Sequence, residues 1–362
     1  MKIPLLWSVL VACVLTACNS KQEEQQGNMK HLSLTEKWDK TFPKSDKVSH
    51  QKVVFRNRFG IELVADMYTP KNVEGKLAAI AVSGPFGAVK EQSSGLYAQT
   101  LAERDFLTIA FDPSYTGESG GVPRRVASPD VNTEDFCAAI DFLSTQPNVD
   151  PDCIGIVGIC GWGGLALNAA TIDPRIKATV VSTMYDLSRV SAKGYFDADD
   201  SAEKRQVARK ALAEQRTRDY AAGTYERAGG VIDPLPDDAP QFVKDYYAYY
   251  KTPRGYHERS GNSNDGWNKT GTISYLSTAL LRYVNEIEAP VLIIHGEKAH
   301  SRYMGETAFE QMTGVKPNSF EVTVGNKELL IIPGATHCDL YDQPQYIPFD
   351  KLERFFNESF GK

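Results

Sequence analysis

A thiol and an imidazole can together break an acyl bond when the thiol is presented on a tight turn within the imidazole's reach. Cys160 stands in such a setting, within Gly155-Ile156-Val157-Gly158-Ile159-Cys160-Gly161-Trp162-Gly163-Gly164. A nucleophile between a buried strand and a helix must turn sharply, in a backbone geometry that crowds any neighbouring side chain. Small residues around it are the steric answer, as in the G-x-S-x-G nucleophile elbow. Here Cys160 takes the serine's place, and the helix that follows points its N-terminus at the sulfur, favouring the thiolate. Gly158, Gly161 and Gly163 would also suit a dinucleotide-binding loop, but that fingerprint usually follows the first strand of its unit. An ordinary buried thiol is the other reading of Cys160. The base is His337, which closes Ile331-Ile332-Pro333-Gly334-Ala335-Thr336-His337 in a loop just beyond the last strand. The carboxyl end of a parallel strand holds a base rigidly while leaving it open to the reacting groups.

Two amides are expected to form an oxyanion hole. One is the backbone N–H of Gly161, the residue after the nucleophile. The other comes from Gly84-Pro85-Phe86-Gly87, the loop after the strand that ends at Ser83. Pro85 has no N–H, which leaves Phe86. The acid that would orient His337 is less plain. The loop Gly296-Glu297-Lys298-Ala299-His300-Ser301 holds no aspartate. Glu297 is the first candidate and Asp186, after the preceding strand, the second. A thiol ionises far more easily than a hydroxyl, so a cysteine depends less on this acid.

The elements around these residues alternate. Residues 53–55 and 61–68 predict a hairpin turning at Arg58-Phe59-Gly60. Apolar strands follow at 77–83, 106–112, 153–158 and 176–182. Helices are expected at 92–103, at a segment opened by Asn132 as N-cap, and around 165–171. Continuous apolar strands alternating with helices predict a mostly parallel, eight-stranded sheet with helices on both faces. The alternation stops at residues 187–289, which are charged, helical and aromatic-rich and read as a cap. It resumes with strands at 291–295 and 328–332, a helix near 306–312, and a closing helix at 349–356.

The ends and composition set the context. Lys2 and the apolar residues 3–15 are too short to span a bilayer and read as a signal peptide, residues 1–17. Leu15-Thr16-Ala17-Cys18 resembles a lipobox, which implies cleavage before Cys18 and its acylation. Residues 18–46 form the expected tether, with core parts at 47–186 and 290–362 flanking the 187–289 cap. Lys21 ahead of Glu23 and Glu24 resembles a surface-export signal and equally suits a solvated linker. Net charge is −6 with no basic run, so the expected partners are a small acyl substrate and a membrane through the lipid on Cys18, not nucleic acid. The expected location is the bacterial cell envelope, periplasmic or surface-exposed. Cys137, Cys153, Cys160 and Cys338 show no C-x-x-C pair, so no metal site is implied, and an oxidising compartment would permit a Cys137–Cys153 disulfide.

Three motifs together carry a family resemblance: residues 111–121 (Phe-Asp-Pro-Ser-Tyr-Thr-Gly-Glu-Ser-Gly-Gly), the elbow at Cys160, and Gly334-Ala335-Thr336-His337-Cys338-Asp339-Leu340-Tyr341-Asp342. Over residues 52–356 the chain resembles the YcjY-type α/β hydrolases, which are similar to dienelactone hydrolases and fungal polyketide transferases. The resemblance implies the α/β-hydrolase fold, a cysteine or serine nucleophile, and ester, lactone or thioester chemistry. No metal or organic cofactor is implied. Trp162 departs from the usual glycine spacing of the elbow. A peptidase or acyltransferase would share the same residues, and a non-catalytic binding lipoprotein is the reading from another class.

Overall fold

The strands expected from continuous apolar runs form because both faces of each are covered. In β3 (Leu77–Ser83), Leu77, Ala79 and Ala81 enter one hydrophobic cluster while Ala78, Ile80 and Val82 enter another. One cluster is closed by the helices Pro129–Ser144, Gly161–Ile172 and Arg302–Thr313, the other by Ser93–Ala102 and Phe349–Ser359. These are the two covered faces that a parallel sheet requires.

In this computed structural model, residues 32–71 and 73–362 are described. The signal peptide, the lipobox, Cys13, Cys18 and the tether up to residue 31 lie outside the described residues. Among the described residues no helix is long and apolar enough to cross a membrane.

Among the described residues the sheet has nine strands, not eight. Its order is β1 (Val48–Arg56), β2 (Glu62–Pro70), β4 (Leu107–Phe111), β3, β5 (Val149–Ile159), β6 (Ala178–Ser182), β9 (Val291–Gly296), β11 (Lys327–Ile332) and β10 (Glu321–Val324). The strand beyond expectation is β10, an edge strand paired antiparallel to β11. It is short and alternates exposed and half-buried residues, so it lacks the apolar run that marks the others. Two further corrections are local. Ser128, not Asn132, caps the helix Pro129–Ser144, accepting from the Val131 N–H at 3.4 Å, with proline in the first turn. Asn132 lies inside that helix and donates to Asp135 Oδ2 at 3.2 Å. Residues 38–46, expected within the tether, belong to the compact unit that begins at Trp38. Phe42 is buried, and Lys40 Nζ lies 2.8 Å from the buried carboxylate of Asp66.

The register gathers the strand ends that matter. Ser83 pairs with Gly158, Ile159 with Ser182, Ser182 with Ile294, and Gly296 with Ile332. The loops leaving β3, β5, β6, β9 and β11 therefore emerge along one edge. Residues 187–289 fold as the helices Leu187–Lys193, Ala202–Ala222 and Gln241–Tyr250, short 3₁₀ turns, and the paired β7 (Arg227–Ala228) and β8 (Trp267–Asn268).

Candidate active site

Cys160 occupies the turn between β5 and the helix Gly161–Ile172 with φ 57° and ψ −126°, a conformation that costs a non-glycine residue energy. Three backbone hydrogen bonds hold it there. Its N–H donates to the Ser182 carbonyl at 3.0 Å, and its own carbonyl accepts from Gly163 and Tyr185, each at 2.9 Å. The surrounding glycines are sterically required. A Cβ on Gly158 would lie 2.3 Å from the Trp162 carbonyl oxygen, and one on Gly163 would lie 2.5 Å from Met184 Cβ. Trp162, the residue that breaks the usual spacing, points into the core and meets Phe111 and Phe136 edge-on at 5.7 and 5.4 Å. It packs beneath the turn and leaves the elbow intact.

The Cys160 sulfur is buried and faces four hydrogen-bonding groups: the Tyr341 hydroxyl, the Gly161 and Phe86 amides, and the Tyr246 hydroxyl. Burial pushes the thiol up from its ordinary value, and these donors oppose that rise. The Gly161 and Phe86 amides, expected as oxyanion donors, thus converge on the Cys160 sulfur. The Phe86 loop is pinned by Asn262, whose side-chain amide donates to the Phe86 carbonyl at 2.6 Å, and by Ser260, which donates to the Gly87 carbonyl at 2.9 Å.

His337 reaches this group through a tyrosine. Its Nε2 lies 2.9 Å from the Tyr341 hydroxyl, the same hydroxyl that faces the sulfur. Its Nδ1 meets Thr183 Oγ1 at 2.7 Å and Ser301 Oγ at 2.9 Å. Burial, reinforced by His300 and His295 nearby, holds the imidazole well below the ordinary histidine range. The ring is therefore neutral, the form a base needs.

Neither predicted acid bonds His337. Asp186 caps the helix Leu187–Lys193, accepting from the Arg189 N–H at 3.0 Å and from the Ser188 hydroxyl. Glu297 accepts from the Gly334 N–H at 2.8 Å. Hydroxyls stand where a carboxylate was expected, and a hydroxyl can orient a ring but cannot neutralise an imidazolium.

Sequence reasoning assigned no role to Tyr341, Tyr246, Tyr185, Thr183, Ser301 or His300. Only Tyr341 left a local signal, four residues after His337, where a helical turn brings two side chains together. The others come from separate elements.

A cavity of about 530 Å³ opens beside Cys160. Residues 187–289 line much of it, with Leu187, Val190, Phe242, Trp267 and Tyr275. No described lining residue is an aspartate, glutamate, lysine or arginine. Cys137 and Cys153 are free, so the permitted disulfide is not formed. One set of carboxylates, Glu91, Asp112 and Glu118, has the spacing of a metal site. The Lys90 ammonium sits among them at 2.6, 2.8 and 2.6 Å and already supplies the positive charge a cation would bring.

The comparisons with known proteins accord with this architecture. The profile of the X-Pro dipeptidyl-peptidase (S15) family matches residues 60–338. The uncharacterized protein PA2218 of Pseudomonas aeruginosa is 52% identical over 96% of this chain and 91% of its own. Its crystal structure superposes with a TM-score of 0.85 and 54% identity, covering 91% of this chain and 99% of that one. The uncharacterized protein YcjY of Escherichia coli is 32% identical over 86% of this chain and 99% of its own. The thiohydrolase aneE of Aspergillus aculeatus is 30% identical over 38% of this chain and 42% of its own. Relatives of these kinds and the sheet described above make the protein an α/β-hydrolase enzyme.

Proposed function

Because the chain belongs to the X-Pro dipeptidyl-peptidase (S15) family of α/β hydrolases and carries a cysteine at its elbow, we propose that it cleaves ester, lactone or thioester bonds through an acyl–Cys160 intermediate. The observation that carries this reading is the Tyr341 hydroxyl, which bonds His337 Nε2 at 2.9 Å and faces the Cys160 sulfur. The thiol gives its proton to the Tyr341 oxygen while Tyr341 passes its own to His337 Nε2, and the tyrosine stays neutral. The thiolate forms a bond to the carbonyl carbon, and the carbonyl electron pair moves to oxygen between the Gly161 and Phe86 amides. Collapse breaks the bond to the leaving alkoxide or thiolate, which takes a proton from Tyr341 as Tyr341 takes one back from His337. Water, giving its proton to Tyr341 as Tyr341 passes one to His337, then attacks the acyl carbon. Collapse releases the acid, and the departing sulfur regains a proton by the reverse of that relay.

Two features favour these bonds over peptides. An amine is a poor leaving group and asks most of the acid–base machinery, yet no carboxylate supports His337. The described lining residues also offer no carboxylate to hold the free α-ammonium of a dipeptidyl substrate. An apolar, aromatic cavity suits a neutral acyl group, and the fungal relative carries a thiohydrolase name. Intact mass after exposure to short acyl thioesters and nitrophenyl esters should show one acyl adduct, mapped to Cys160, with turnover of the same donors. Faster cleavage of an X-Pro anilide than of any ester or thioester would overturn this reading.

The same proposal places the enzyme on a membrane of the cell envelope through a lipid on Cys18, supported by the lipobox and by the polar residues 19–27 behind it. Stable anchoring needs more than one acyl chain. The full chain is expected in the detergent phase after phase separation, and Cys18→Ser in the aqueous phase with unchanged activity. Wild-type protein in the aqueous phase would remove the anchor from the proposal.

A further inference from the structure

We propose that His300 is a positioning residue for Cys160, keeping a one-way chain of hydrogen-bond donors, through Tyr185 and Tyr246, pointed at the sulfur. The inference rests on the cysteine reading above and adds a second hydrogen-bonded route beside the one through Tyr341 and His337. Its links are explicit. Tyr246 faces the sulfur from the cavity that both line, the Tyr185 and Tyr246 hydroxyl oxygens lie 3.0 Å apart, and His300 Nε2 bonds the Tyr185 hydroxyl. Phe242 stacks on the His300 ring with centroids 4.4 Å apart and holds its plane.

Each tyrosine carries one proton, so the chain can run toward the sulfur or away from it. His300 decides which. Its Nδ1 is buried and has no hydrogen-bond partner. Burial lowers this imidazole to about 4, so it is neutral and holds a single ring proton. On Nδ1 that proton would be a stranded buried N–H, whereas on Nε2 it is used in a hydrogen bond. The Nε2–H form therefore donates to Tyr185; with Tyr195 as a second donor to that hydroxyl, Tyr185 donates to Tyr246, and Tyr246 donates to the sulfur. Every donor ends on the atom that becomes negative. An acid–base–nucleophile triad stabilises the cation formed on its base; here the corresponding stabilisation is delivered to the anion. This accounts for a working site in which hydroxyls replace the carboxylate behind His337.

The test is the pH dependence of Cys160 alkylation by iodoacetamide in the full chain, read by mass across roughly pH 7 to 11, because burial raises this thiol above its ordinary value, with no substrate present. The titratable groups facing His300 are Tyr185, Tyr195, Tyr246 and His337, with His295 and Arg302 close by. Those facing the sulfur are Tyr341, Tyr246, Tyr185, Tyr195, Tyr250 and Cys338, and burial raises Tyr195 too. Burial holds Tyr185, Tyr246, Tyr250 and Tyr341 well above the ordinary tyrosine value and Cys338 well above that of a thiol, so the midpoint in this window belongs to Cys160. His300→Leu should move the midpoint upward and slow alkylation at neutral pH about 5-fold, the worth of one hydrogen bond. His300→Gln, which can place an N–H near the same point, should stay close to wild type. Tyr246→Phe should match His300→Leu, and the double variant should be no slower than Tyr246→Phe alone. A wild-type midpoint in His300→Leu, or losses that multiply in the double variant, would overturn the proposal. Should His300→Leu fail to fold, Tyr185→Phe reads the same chain. A missing acyl adduct with these shifts present would instead count against the catalytic reading alone.

Discussion

Cys160→Ser is expected to lower kcat/KM on thioesters and activated esters by on the order of 10³-fold or more, although serine is the commoner nucleophile at such an elbow. The serine fits, because its oxygen is smaller than sulfur and the turn is set by backbone contacts and glycines. The loss lies in the proton transfer. His337 is held well below the ordinary histidine range by burial and by its histidine neighbours, and its Nδ1 meets only the hydroxyls of Thr183 and Ser301. Such a base can take a proton from a thiol, whose ordinary value is about 8.5, more easily than from an alcohol. The Tyr246 and Tyr341 donors also stabilise a charge that the alcohol does not develop before attack. Steady-state kinetics on one thioester and one nitrophenyl ester, with a thermal melt to confirm folding, checks the expectation. A serine variant within tenfold of wild type would mean that His337 is a stronger base than its surroundings allow.

The contrast between elbow and acid shows which parts of the site could be read without coordinates. The elbow is a local problem: one strand, one turn and a helix whose close approach forces glycine, so Gly158, Cys160 and Gly163 declare themselves. Strands of the parallel sheet are equally legible, since burial on both faces leaves continuous apolar runs such as Leu77–Ser83 and Val291–Gly296. The edge strand Glu321–Val324 is not, because only part of it is covered. Acid assignment failed for a physical reason. Asp186 has a nearer use, capping the helix Leu187–Lys193, and the run Asp186-Leu187-Ser188-Arg189 is itself a helix-start pattern. Tyr185, Tyr246 and His300 approach one another over separations of 61 and 115 residues, and no spacing rule anticipates that.

Lys90→Met should be the most destabilising change outside the catalytic residues, by about 3–5 kcal/mol at neutral pH. The Lys90 ammonium is fully buried and bonds Glu91, Asp112 and Glu118 at 2.6, 2.8 and 2.6 Å. Lys52 also pairs with Glu118, and Arg259 reaches Glu91 at 2.8 Å, so removing Lys90 leaves three buried carboxylates to share two cations. The loss should depend on pH in a direction opposite to ordinary acid unfolding. Burial pushes Glu91 up, but Lys90 and Arg259 hold it down at about 2. Its contribution is thus complete above the unfolded value of about 4.3 and is lost as pH falls through about 2. Without Lys90 the cluster should accept a proton at higher pH, so the stability gap between variant and wild type should narrow from pH ~7 to pH ~5. Lys90→Met combined with Glu118→Gln, which removes one stranded charge, should recover part of the loss. The same network anchors the oxyanion loop: the Lys90 N–H donates to Asp112 Oδ1 at 2.8 Å, four residues beyond Phe86. Where the variant stays folded, kcat should therefore fall more than KM rises, because the Phe86 amide acts on charge that appears only in the transition state. Denaturant melts at the two pH values, alongside kinetics at low temperature, measure both effects. A gap that widened on acidification would show that Lys90, and not the carboxylates it leaves behind, carries the cost.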